Sequence, residues 1–144
     1  GGSTHDAIAD ALTFRAARRA MFPKAAGREL PLEIFEGLAE YSGMRLAGYD
    51  DAGVVESVAA QREQETGLVR SFAYVSGPLY GFLLDHSDEG WRERVGPTTD
   101  LGMLLAESLD IPPAVAIAKT GAILLIISRN DGEKVGQRHD VLMV

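Results

Sequence analysis

Apolar residues recur at helical spacing along most of the chain, with polar positions on the opposite faces. A first helix is expected from a cap at Thr4 to about Phe22, with Ile8, Ala11 and Leu12 on one side and Ala7, Phe14 and Met21 adjoining. Arg15, Arg18 and Arg19 form a basic strip near its end, where the helix dipole favours cations. Pro23 and Gly27 punctuate a loop. A second helix is expected from Pro31, its apolar side built from Leu32, Phe35, Ala39 and Leu46, with Ile34, Leu38 and Tyr41 beside them. Glu29, Glu33, Glu36 and Glu40 recur along another side, and Gly43 and Gly48 weaken and end the helix.

Asp50 or Asp51 caps a third helix that reaches about Glu65. A fourth occupies Val69 to Asp85, with a kink or break expected at Gly77-Pro78. Trp91 to Val95 fits one further turn, and Asp100 caps a segment carrying Leu101, Leu104, Leu105 and Leu109. Beyond Pro112-Pro113 the character changes. Ile123 to Ile127 reads as a buried strand, and Val141 to Val144 pairs with it across a connection of about ten residues. The fold class expected is mainly α: an irregular helical bundle of about five to six helices with a small C-terminal β-strand pair. Residues 1–111 form the helical part, and residues 112–144 a C-terminal extension packed on the same domain.

Charge and composition narrow the function classes. The 144 residues carry a formal net charge of −7, which repels nucleic-acid phosphates and anionic membrane surfaces, so neither is an expected partner. The longest apolar run, Ala114 to Ile127, is too short and too interrupted to span a bilayer. There is no cysteine, which removes disulfides, thiolate nucleophiles and Cys-ligated metals. A soluble protein of either the cytoplasm or the periplasm satisfies these limits. The opening Gly1-Gly2-Ser3 reads as a cloning remnant, so an authentic N-terminus and any targeting signal are expected to lie outside this sequence.

The chemistry concentrates in Phe35-Glu36-Gly37-Leu38-Ala39-Glu40-Tyr41. Glu36 and Glu40, four apart, point to one side of a helix. Gly37 costs a helix interior about 1 kcal/mol against alanine, which makes sense where something approaches the backbone closely. Taken alone, the two glutamates also fit a solvated acidic face, and Tyr74 a core aromatic with its hydroxyl at the rim.

Glu36-Gly37-Leu38-Ala39-Glu40-Tyr41 resembles the third-ligand helix of the gluzincins, zinc metallopeptidases that include the aminopeptidases. In those enzymes a helix carrying His-Glu-x-x-His supplies two zinc ligands and the general base. A later helix of the type Asn-Glu-Gly-Phe-Ala-Glu-Tyr supplies a glutamate as the third ligand, and the match places that role on Glu36, with Phe35 where many members have Asn. Tyr74-Val75-Ser76-Gly77 resembles the family's Tyr-x-x-Gly segment, whose tyrosine donates to the oxyanion of the tetrahedral intermediate. The resemblance covers about Arg15 to Leu109. It implies a peptide substrate, a zinc ion in the complete site, Glu36 as metal ligand and Tyr74 as catalytic donor. It also implies that the two residues lie on neighbouring helices facing one cleft, with Gly37 against a close neighbour and Tyr41 packed inward.

The sequence departs from the family at a decisive point. Its histidines are His5, His86 and His139, none of them in a His-Glu-x-x-His. A catalytic zinc site needs three protein ligands and an open position, so no zinc is expected in this chain alone. The expected function is therefore a fragment or degenerate relative of a zinc-dependent peptidase, inactive as an isolated chain. Its partner would be the missing N-terminal portion of the parent or a second copy. The alternative is a non-catalytic helical module for protein interaction or structure. His86 reads as an exposed loop histidine, His5 as inert and His139 as part of a turn. A triad of Ser71 or Ser76, His86 and Asp85 or Asp88 lacks the nucleophile elbow. Tyr80 is expected to be structural, and the three arginines to make structural ion pairs with the acidic second helix, each worth little if exposed.

Overall fold

The computed structural model describes residues 3–64 and 68–112, and these are mainly helical. The expected strands at Ile123 to Ile127 and Val141 to Val144, the extension from residue 113 onward and His139 lie outside the described residues.

Helix α1 spans Thr4–Met21 and is capped one residue earlier than expected. The Ser3 side chain accepts from the Asp6 N–H while Asp6 accepts from the Ser3 N–H, a reciprocal capping box. Helix α2, Pro23–Leu32, occupies the segment expected to be a loop. Pro23 starts it, because proline fits the first helical turn, where its missing N–H has no partner to lose. Pro31 lies within α2 instead of opening the next helix. Directly after it comes a single π-helical turn, Glu33–Gly37, in which the Leu38 N–H donates to the Glu33 carbonyl five residues back. Helix α3, Leu38–Leu46, continues without a break, and Gly48, at φ +80°, comes after its end in the left-handed conformation glycine adopts freely.

Burial corrects the expected apolar face. Phe35 is 65% exposed and Leu46 90% exposed, whereas Glu33, Gly37, Tyr41 and Met44 point inward. These inward positions are spaced four, four and three apart, one side of even a regular helix; the expected face, drawn on the larger apolar side chains, lies on the opposite side.

Helix α4, Asp51–Gln64, is capped by Asp50, whose carboxylate accepts from the Gly53 N–H at 2.9 Å. Helix α5, Leu68–Ser87, is one helix; no break occurs at Gly77-Pro78, and Pro78 is fully buried within it. A 3-10 turn comes next at Trp91–Arg94, and α6 covers Leu101–Ser108 with Asp100 as its cap, both as expected.

Helix α5 is the central element, packed against the π-turn, α3, α4 and α6. The core gathers Tyr41 and Met44 from α3, Val54 and Val58 from α4, and Phe82 and Leu84 from α5, closed by Trp91, Leu101, Leu104 and Leu105.

Glycines set how closely α5 meets the π-turn. A Cβ on Gly37 would lie 2.7 Å from the Ala73 carbonyl oxygen and 2.8 Å from Gly77 Cα, and one on Gly77 would overlap the Gly37 backbone. One helical turn on, a Cβ on Gly81 would enter the Tyr41 ring. The expectation that Gly37 faces a close neighbour and Tyr41 packs inward is met.

Gly77→Ala should therefore cost about 3 kcal/mol, the upper end of ordinary overpacking, because backbone on both sides must move. Gly43→Ala, with nothing within 4 Å of its Cβ, should instead stabilise by about 0.5–1 kcal/mol. Urea unfolding of the two variants checks the contrast.

Candidate functional site

The glycine crossing brings together the elements that carry the two expected site residues. Glu36 is half-buried on the π-turn, one position before Gly37. Tyr74 is half-buried on α5, one position after Ala73, whose carbonyl lies against Gly37. Glu40 is half-buried one turn further on in α3.

Beside this crossing lies a buried charge cluster that the sequence only half disclosed. Glu33, 1% exposed, accepts from Arg15 Nη2 at 2.5 Å through Oε2 and from the Ser76 hydroxyl at 3.2 Å through Oε1. Arg15 also donates to both oxygens of Asp100, at 2.8 and 3.0 Å, and Arg19 reaches Asp100 at 2.5 Å. Arg18 forks onto Glu29 at 2.5 and 2.7 Å, with Arg19 completing that pair at 3.3 Å. Gly102 leaves room for the cluster: a Cβ there would sit 3.1 Å from Arg15 Cζ.

The ion pairing between α1 and the acidic segment matches expectation, and it is buried. Arg15, Glu29 and Glu33 are buried, so these are not weak surface pairs. The four glutamates differ in burial: Glu29 and Glu33 are buried against α1, while Glu36 and Glu40 are half-buried. Burial pushes the Glu33 carboxyl upward against the pull of Arg15 and Arg19. Burial acts the same way on Asp100, but the charges of Arg15 and Arg19 outweigh it and hold Asp100 low. Tyr80, expected to be structural, is half-buried with the Arg15 guanidinium 5.4 Å from its ring centre, and burial pushes its hydroxyl up to about 12.

A second polar hub centres on Asp85. Its carboxylate accepts from the Tyr41 hydroxyl at 2.7 Å, Trp91 Nε1 at 3.0 Å and Arg92 at 2.5 Å. Arg92 also donates to the Tyr41 hydroxyl. Burial and the Asp85 hydrogen bond push the Tyr41 hydroxyl up to about 12, so Tyr41 remains a donor. Burial raises Asp85, but the Tyr41 and Trp91 hydrogen bonds and the Arg92 charge hold it below its ordinary 3.8.

Of the three histidines, His5 and His86 lie among the described residues. His5 Nε2 donates to the Leu109 carbonyl at 3.1 Å, tying α1 to the end of α6. His86 is exposed as expected, but it lies in the last turn of α5 and not in a loop, with Nε2 2.9 Å from an Asp51 carboxylate oxygen. A cavity of about 240 Å³ between α1 and α6 is lined by Leu12, Arg15, Arg19, Asp100 and Met103. Another, of about 480 Å³, is lined by Arg45, Asp50, Phe82, Asp85 and His86. Neither includes Glu36 or Tyr74 in its wall. Among the described residues, no three His, Cys, Asp or Glu side chains converge as a metal cage.

Comparison with protein-family models, with curated proteins and with solved structures yields no match.

The polar clusters make two contributions to stability that substitution can separate. Arg15→Met should cost about 3–5 kcal/mol, because it leaves Glu33 charged and buried without its main partner. The double variant Arg15→Met/Glu33→Leu should recover most of that loss, as read by chemical unfolding. The acid limb of stability should depend on Asp85. A carboxyl held below its unfolded value contributes stability above pH 3.8 and loses it as pH falls through the lower folded value. Asp85→Asn should lower stability at neutral pH and flatten the fall on the acid side, in urea titrations across a pH series.

Proposed function

We propose that this chain is the part of a gluzincin-type zinc peptidase domain that carries the third-ligand glutamate, Glu36, and the oxyanion-stabilising tyrosine, Tyr74. The observation that carries the reading is the Gly37–Gly77 contact. It accounts for a glycine directly after Glu36 and another three residues after Tyr74, and it brings the two segments together at backbone contact. Such closeness is what a shared reaction centre requires, since ligand and donor must meet one scissile carbonyl. The π-turn at Glu33–Gly37 adds support, because such turns occur frequently at functional sites. The two histidine ligands and the general base come from outside this chain, and the substrate is a peptide. Tyr74 donates its hydroxyl proton in a hydrogen bond to the oxygen that gains charge.

The alternative of a non-catalytic helical module draws on Met21, Phe22 and Phe35, which are 57%, 61% and 65% exposed and suit an interface.

The isolated chain should bind no stoichiometric zinc and hydrolyse no peptide; one tightly held zinc per chain in metal analysis overturns this account of the site. The coding sequence preceding this segment should specify His-Glu-x-x-His. In that longer protein, Glu36→Ala should abolish zinc retention, and Tyr74→Phe should lower kcat by about 10²–10³-fold. Absence of the motif, or an unchanged kcat in Tyr74→Phe, leaves the helical module.

A further inference from the structure

Glu33 opens the π-turn, lies fully buried, and joins three elements through one carboxylate. On one side it accepts from Arg15, which α6 holds through its cap Asp100. On the other it accepts from Ser76, the residue immediately before Gly77 on α5. The single Ser76 hydroxyl proton is shared between Glu33 Oε1 at 3.2 Å and the Phe72 carbonyl oxygen of its own helix at 2.8 Å, so α5 holds the hydroxyl while it faces Glu33. The glycine contact alone brings two smooth backbones together, and smooth surfaces slide and rotate. A directional hydrogen bond beside that contact fixes their register.

We infer that Glu33 is a positioning residue: through Ser76 and Arg15 it locks the turn bearing Glu36 against the helix segment bearing Tyr74. The purpose rests on the proposed peptidase role; the locking does not. Glu33 touches neither substrate nor metal in this scheme. It determines where Glu36 stands relative to Tyr74, and so acts through other residues.

The test is amide hydrogen exchange by NMR on the whole chain, with Ser76→Ala as the mild variant and Glu33→Gln as the isosteric, uncharged one. Exchange at Gly37 and Leu38 should accelerate at least about tenfold in Ser76→Ala, while Val54 and Leu105 in the core change less than about twofold, the signature of local rather than global opening. Ser76→Ala removes one arm of the lock, and Glu33→Gln, which keeps an acceptor for Ser76, weakens the arm to Arg15, so each should loosen the turn. The Tyr74 ring resonances should shift in both. Acceleration spread evenly over turn and core makes Glu33 a general stability element and overturns the inference, as does an unaltered turn. Loss of the peptidase reading would leave this exchange pattern intact and appear only in the longer protein's activity, so the two failures are told apart.

Discussion

Direct backbone contact between Gly37 and Gly77 constrains nearly everything else in the molecule. Helices normally pack 8–10 Å apart because side chains keep them so; removing Cβ atoms at the crossing lets the axes come closer. With the two segments so near, the large side chains must lie to either side. Tyr41 fits over Gly81 on one side, and on the other Glu33 reaches Ser76 and the arginines of α1. The π-turn sits at the same crossing, with Gly37 and Tyr41 against α5 while Phe35 faces outward.

The buried charges are a consequence of that geometry and not an independent source of stability. Taking carboxylates and guanidinium groups out of water costs several kcal/mol per ion, recovered only when partners and hydrogen bonds are well placed. Three arginines face three carboxylates here, so the cluster is neutral, with Arg15 and Arg19 each reaching more than one acid. What it adds is direction. Apolar contacts would let α1, α6 and the π-turn adopt many similar registers, whereas a forked guanidinium between two fixed acids accepts few.

Local signals in the sequence are legible where one residue determines one feature. Asp100 announces a helix cap, Trp91 a further turn, Gly37 a close approach and Tyr41 an inward side chain, since each depends on short-range chemistry. The misreadings have separate causes. Pro23 and Pro31 read as boundaries; the inward side of Glu29 to Leu46 reads as the one with the larger apolar side chains only if apolarity alone decides burial. Pro23 starts a helix instead of ending one, and the inward side is chosen by Gly37 and a buried charge at Glu33, not by the larger apolar side chains. The burial of Arg15 and Glu33 depends on residues far along the chain, Asp100 and Ser76 among them, and pairwise spacing does not encode such separations. Glu36 and Tyr74 are singled out by resemblance alone; the fold sets their segments side by side.

The Asp85 hub has an optical consequence. The chain holds one tryptophan, and Trp91 is 2% exposed, its indole N–H on a carboxylate and its ring edge-on to Tyr41 with centres 5.6 Å apart. Its emission therefore comes from a single known environment, and Tyr41 is close enough to pass excitation to it. Light emitted by this molecule reports on the junction of α3, α5 and the turn after it, so separation of those elements registers as a red shift with no label attached.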